Sequence, residues 1–306
     1  MSLKLTHGSA LSNLPLFLAL DRDLFADVGL RVAVSPLTAF SATVSRLRDG
    51  SADLGTTGFT QALADADSAD PLVIVAGSGL CGMALLGQHG TTAASLAGTT
   101  IGAFADDPMQ ALLEDVLSRH ALTGRVFVRF MPSLVEAARQ FRQGEIAALT
   151  IVEPWISRLV REGAVVLSDG TDVWGPTYPD TVLVSPRSLV KGRPEVVTGV
   201  IRAMLRAQRI IEDHPRVALA TVAHRFPRFS LDELEAGLVR QPSQVDLRGL
   251  EPTILGRWPT VRNLQGKPSS TPPAGLIDFR RLEAALAAEA LVPSDSPSGE
   301  RMMNHV

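Results

Sequence analysis

LKLTHGSALSNLPLFLALDRDLFADVGLRVAVSPLTAFSATVSRLRDGSADLGTTG, residues 3–58, is the stretch whose reading decides the fold. Lys4-Leu5-Thr6 is short and extended, and residues 8–15 form a small polar turn. Across residues 16–25 the apolar side chains Leu16, Phe17, Leu20 and Leu24 recur at helical spacing, and Gly29 stops the helix. Residues 30–34 read as a second strand. Phe40, Val44 and Leu47 then share one helical face before Asp49-Gly50, and residues 52–58 form a third strand ending in Thr56-Thr57-Gly58. Strands alternating with helices predict a parallel sheet flanked by helices. Loops after such strands gather at one sheet edge, where helix N-termini direct free N–H groups at whatever binds. Three loops, at 9–13, 38–41 and 56–58, are therefore expected to converge on one ligand.

Beyond residue 58 the same logic repeats. The apolar run 72–76 has the length of a buried strand. It leads into Gly77-Ser78-Gly79-Leu80-Cys81-Gly82, formally a G-x-G-x-x-G. A dinucleotide site needs a helix opening at the third glycine. Residues 83–86 are instead another short apolar run, so the glycines read as a sharp bend in a crossover between lobes. Strands are expected at 100–104, 126–130, 144–151 and 164–167, with helices at 109–121, 134–142 and 155–161. Pro108 suits the first turn of its helix, and Asp106 or Asp107 its N-cap. Residues 181–184 cross back. The clearest helix follows Pro194, with Val197, Val200, Ile201, Met204 and Ile211 on one face. Residues 241–273 read as loop with short turns, 278–291 as a last helix and 293–306 as a disordered tail. The expected fold is α/β in two lobes, each a mainly parallel sheet flanked by helices, with a cleft between them. Lobe one comprises 1–84 plus 183–292, and lobe two 85–182.

Several pieces carry a family resemblance. They are Pro15-Leu16-Phe17-Leu18-Ala19, then Leu24-Phe25-Ala26-Asp27-Val28-Gly29-Leu30, then Arg48-Asp49-Gly50-Ser51-Ala52-Asp53-Leu54-Gly55, then Ile151-Val152-Glu153-Pro154-Trp155. In order and spacing the chain resembles the sulfonate/nitrate/thiamine-precursor group of solute-binding proteins over residues 3–215. The resemblance implies a type II periplasmic-binding fold and reversible capture of a small organic molecule by lobe closure, with an ABC permease as partner. Desulfinase relatives of that fold place a nucleophilic cysteine after the first strand, where residues 8–13 contain none. Pyrimidine-synthase relatives use a histidine, a lysine and a cysteine cluster, which are also missing here. An enzyme or a cytosolic sensor on the same fold is the alternative.

Composition narrows the classes further. At 306 residues the chain is long enough for two lobes of about 150 residues each. Its net charge of -3 gives no electrostatic footprint for nucleic acid. Only Lys4, Lys191 and Lys267 are lysines, and none sits in an expected ligand loop. A single cysteine excludes an internal disulfide. No run approaches the roughly 18 apolar residues of a membrane span. The N-terminus lacks the pattern of an export leader, which reads as cytoplasmic; a removed leader would leave the same sequence and a periplasmic or cell-surface location.

The chemistry points to binding. Six scattered histidines show no metal-ligand grouping, and no cofactor is expected. No catalytic residue is assigned. Cys81 is the sole candidate nucleophile, placed at the cleft by the crossover, but no neighbour in sequence lowers its pKa. The candidate ligand contacts are Ser9, Leu11, Ser12, Asn13, Phe40, Ser41, Thr56, Thr57, Gly58, Cys81, Asp106, Ser133, Glu153, Trp174 and Tyr178. Glu153 either caps its own helix or reaches the ligand. Trp174 and Tyr178 are either a stacking wall or core. Because these loops lack Lys and Arg while Asp106, Asp107 and Glu153 lie close by, the expected ligand is neutral or zwitterionic with a flat ring.

Overall fold

Central strands that are apolar on both faces demand cover on both faces, and the chain supplies it twice. The structure, a computed structural model, describes residues 2–36, 42–268 and 270–291. The first sheet holds β1 (Leu3–His7), β2 (Val32–Pro36), β3 (Leu54–Gly58), β4 (Leu72–Leu80) and β10 (Pro179–Pro186), in the order β2-β1-β3-β10-β4. The second holds β5 (Met83–Gly87), β6 (Thr100–Ala103), β7 (Phe127–Phe130), β8 (Ala148–Val152) and β9 (Val165–Ser168), in the order β7-β6-β8-β5-β9. β1 pairs in parallel with β2 and β3, and β6 with β7 and β8. The strands entering from the other sheet, β10 and β5, run antiparallel to their neighbours. This is the expected two-lobe α/β architecture. Met83 and Ala84 pair within the second sheet and Thr181 and Val182 within the first, so strand membership changes a few residues before the expected junctions at 84/85 and 182/183.

Local departures have local causes. The expected helix 16–25 is a 3-10 turn, Leu11–Asn13, running into the helix Leu14–Asp21. Pro15 sits in its first turn, where a missing N–H costs nothing. Asp23 adopts φ 55° and ends the helix, but Leu24 and Phe25 are buried beyond the break. Apolar spacing therefore ran on past the break. The bend expected within the glycine run 77–82 falls at its end. Gly77 and Gly79 lie inside β4, and the chain turns at Cys81 (φ 53°) and Gly82 (φ 73°). A Cβ at Gly77 would stand 2.3 Å from the Gln244 carbonyl oxygen, because residues 242–245 run directly beside β4.

The helix after Pro194 spans Pro194–Asp213 and packs its buried face against Leu14–Asp21 and the last helix, Arg280–Ala290. Its Arg202 and Arg206 donate to the wholly buried Glu289 carboxylate through Nε at 2.8 and 2.9 Å. Residues 241–273 are more ordered than their Pro- and Gly-rich composition suggests. They contain the helices Glu251–Leu255 and Trp258–Leu264. The second packs on Pro108–Arg119 of the second lobe, where Asp115 accepts from Trp174 Nε1 (2.6 Å), Arg257 Nη1 (2.8 Å) and Thr260 Oγ1 (2.7 Å). The loop at 38–41, with Phe40 and Ser41, and the tail 293–306 lie outside the described residues. Among the described residues no helix is long and apolar enough to cross a membrane.

Candidate functional site between the lobes

Strand ends from both sheets meet across the lobe junction. Between them lie two adjoining cavities that share Ala10 in their walls. The larger, about 410 Å³, takes Ser9 from the loop after β1, Phe104 from the end of β6, Phe130 and Ser133 around the β7 end, and Glu153 and Trp155 after β8. Its remaining wall is the segment Arg225, Phe226, Arg228 and Phe229, which local sequence did not mark. The smaller, about 30 Å³, is lined by Asn13, Thr56, Thr57, Gln61, Asp107 and Asp180 among others.

In the large cavity the aromatic wall is held from behind. Trp155 and Phe229 meet edge to face at 5.0 Å, and the Arg158 guanidinium lies 4.2 Å over Phe229 while its Nη2 pairs with Glu233 Oε2 at 2.7 Å. Arg225 Nε donates to Asp21 at 3.0 Å and its guanidinium covers Phe17, so its charge is balanced on the spot. Glu153 is fully buried. Its carboxylate accepts from Ser157 N (3.1 Å) and Ser157 Oγ (3.0 Å), and Arg240 Nε stands 3.7 Å away. It caps its own helix and lines the cavity at the same time. Ser133 likewise caps the helix Leu134–Arg142 through the Glu136 N–H at 3.2 Å.

The small cavity is a tight polar chamber. Thr56 Oγ1 donates to Asn13 Oδ1, and Thr57 Oγ1 to Gln61 Oε1. That amide oxygen also accepts the Gly58 N–H at 3.3 Å, which fixes Gln61 Nε2 as the donor end; it is buried with no partner. Asp107 Oδ1 caps the helix Pro108–Arg119 by accepting the Met109 N–H at 2.9 Å. Asp180 Oδ2 accepts from Gln241 Nε2 at 2.9 Å. Gly58 touches the opposite lobe: a Cβ there would lie 2.3 Å from Pro108 Cδ and Cγ.

Of the expected contacts, Ser9, Ser133 and Glu153 line the large cavity and Asn13, Thr56, Thr57 and Gly58 the small one. Leu11, Ser12, Cys81, Asp106, Trp174 and Tyr178 line neither. Ser12 is buried behind the wall with its Oγ 2.7 Å from Thr181 Oγ1. Asp106 is exposed at φ 57° and leaves the site to its neighbour Asp107. Trp174 stacks edge-on against Phe59 and Tyr178, and the Tyr178 hydroxyl donates to the Asp169 carbonyl, so both belong to the core. Burial pushes the Cys81 thiol up, away from the thiolate. The aromatic wall exists, but Phe104, Phe130, Trp155, Phe226 and Phe229 build it.

Burial dominates the electrostatics. It pushes Asp107 up to about 7, against the Met109 N–H that pulls the other way and with the Asp180 charge adding to it. It raises Asp180 to about 6 and Glu153 to about 7, each partly offset by hydrogen bonds to the ionised form. A raised carboxyl pKa means that the folded chain holds a proton the unfolded chain has released. These groups therefore stabilise the fold in acid, and that contribution falls as pH rises from the ordinary carboxylate range through about 7. Glu233, held near 2 by Arg158, titrates below that window. Buried His7, whose pKa is lowered, pulls the other way, so the contribution of the carboxyls is read by difference: wild type is expected to lose more melting temperature, or gain less, between pH 5 and pH 8 than Asp107→Asn. Identical profiles for wild type and Asp107→Asn in thermal unfolding would contradict the assignment.

A family model described as the NMT1-like family matches residues 1–224, more than half of the chain. The chain belongs to the NMT1-like family. Membership agrees with the resemblance carried by the Glu153-Pro154-Trp155 and Asp53-Leu54-Gly55 motifs. Solved structures share the fold of this NMT1-like chain at low identity. The periplasmic aliphatic sulphonate binding protein SsuA from Escherichia coli superposes with TM-score 0.75 at 19% identity, covering 88% of this chain and 89% of that one. The alkanesulfonate-binding protein SsuA from Xanthomonas axonopodis pv. citri bound to MOPS gives 0.75 at 21%, covering 91% and 98%. The desulfurization enzyme DSZB gives 0.66 at 18%, covering 94% and 99%. No curated protein matches the chain.

Proposed function

We propose that this protein reversibly binds a small organic molecule between its lobes, as the solute-binding component of an ABC-type uptake system. One observation carries the reading: Ser9 at the end of β1 and Glu153 at the end of β8, from different sheets, line one cavity about 410 Å³ in volume. Loop tips after strands are where open α/β sheets take ligands, and a pocket of this size suits a small molecule. Two lobes joined by narrow crossovers can hinge around such a guest and present the closed form to a partner. The proteins with the same fold whose names specify sulfonate binding support the role. That role places the protein on the substrate side of a permease, in the periplasm or at the cell surface.

The five aromatic side chains of the large cavity favour a ligand with a flat apolar part, since rings cover rings at low entropic cost. Native mass spectrometry of the purified protein is expected to show an added small mass that is lost on denaturation. Removing it should open the lobes and change the fluorescence of Trp155. A protein that purifies empty, and whose fluorescence ignores the low-molecular-weight fraction of a cell extract, would end the proposal.

A further inference from the structure

The small cavity has a charge character of its own. Its charged lining residues are Asp107 and Asp180, with no Arg, Lys or His among the described residues that line it. Both carboxyls are buried, at 7% and 5% exposure, and they come from different lobes, Asp107 before the helix Pro108–Arg119 and Asp180 from β10. Beside them Gln61, 6% exposed, lines the same chamber, and its Nε2 donor is buried without a partner. A buried donor without a partner is costly, and two buried carboxyls in one chamber favour a cation between them. One bound molecule that carries a cation and an adjacent acceptor answers both.

We propose that the small cavity seats the protonated primary amine of the ligand, with a hydrogen-bond acceptor on the adjacent carbon facing Gln61 Nε2. The apolar body of the same molecule extends past Ala10, which lines both cavities, into the aromatic wall of Phe104, Trp155 and Phe229. The volumes agree with this division. About 30 Å³ holds one or two groups of water size, which an ammonium is, while about 410 Å³ holds a substituted ring. The inference narrows the expected neutral or zwitterionic ligand to one with a cationic head, and it rests on the proposed interlobe binding. Burial has already pushed Asp107 to about 7, so an ammonium that restores its charge will release a proton on binding. The charged and titratable neighbours of that step are Asp180 in the chamber, Glu153, Arg225 and Arg228 in the wall of the adjoining cavity, and Arg240, 3.7 Å from Glu153; Arg225 is paired with Asp21.

The test is calorimetry on the full chain with three probes of one shape: 2-amino-1-phenylethanol, 1-phenylethane-1,2-diol and 2-hydroxy-2-phenylethanesulfonate. The amine should bind about tenfold or more tightly than the diol, as a charge-assisted hydrogen bond against a neutral one requires. Its heat should vary with buffer ionisation enthalpy, reporting the released proton. The amine–diol gap should close in Asp180→Asn and in Asp107→Asn, the latter keeping the acceptor that caps its helix. If the sulfonate outbinds the amine, or the wild-type protein does not distinguish amine from diol, the ammonium seat is wrong while interlobe binding stands. If no probe binds and native mass spectrometry finds no ligand, both readings fall.

Discussion

Gly58→Val is expected to lower occupancy of the cleft ligand about 100-fold while leaving the ligand-free thermal midpoint nearly unchanged. Gly58 ends β3 at φ -61° and ψ 139°, a backbone that any residue adopts, so local conformation is not at stake. What matters is the far side. A Cβ would fall 2.3 Å from the Pro108 ring, and Pro108 is fixed in the first turn of a helix on the opposite lobe. Neither a proline ring nor a strand end can swing aside, so the lobes must separate. An offset of about 1 Å at a site built from two halves is enough to cost about 100-fold in its function. Native mass spectrometry would read the lost occupancy and small-angle scattering the larger radius of gyration. Unchanged occupancy in the valine variant would show that closure does not pass through this contact.

The second large effect is on stability. Asp115→Ala removes the acceptor of three donors, Trp174 from the second lobe and Arg257 and Thr260 from the start of the helix Trp258–Leu264. Breaking a largely buried ion pair by deleting one partner leaves the other desolvated and costs about 3 kcal/mol or more. The midpoint should fall by roughly 5 °C, and the Trp258–Leu264 segment should lose protection from hydrogen exchange first. Asp115→Asn retains one accepting oxygen and should lose less. Wild-type melting of the alanine variant would mean that the helix is held by its apolar contacts alone.

Residues 3–58 and the helix after Pro194 were legible because strand and helix periods are written locally, and a sheet edge follows from their alternation. The site was legible where a polar residue ends a strand or follows it, as with Thr56 inside the end of β3 and Ser9 and Ser133 in the loops after β1 and β7. Asp106 and Asp107 show why adjacency is not enough. Both are acids before a helix, and the left-handed turn at Asp106 leaves the capping, buried position to its neighbour. Trp174 and Tyr178 sit in a loop among Gly and Pro, where stacking wall and core read alike; both are buried, with their polar atoms bonded to Asp115 and the Asp169 carbonyl. Phe226 and Phe229 carried no local signal, because they reach the cavity only once the helices around them have packed. Asp180 is hidden for the same reason: it stands just before the crossover expected at 181–184, in a strand that begins earlier, at Pro179.

Within β4 and β10, Leu80 stands opposite Pro179 in antiparallel register, and the whole second lobe is strung between those two positions. Within the first sheet β4 and β10 are thus the two arms of a β-hairpin, with the second lobe inserted at its tip. Cutting out the insertion and joining the arms by a two-residue Asn-Gly turn would give an uninterrupted chain with an intact ladder. A gene could have acquired the clamp by a single splice into an older one-sheet protein.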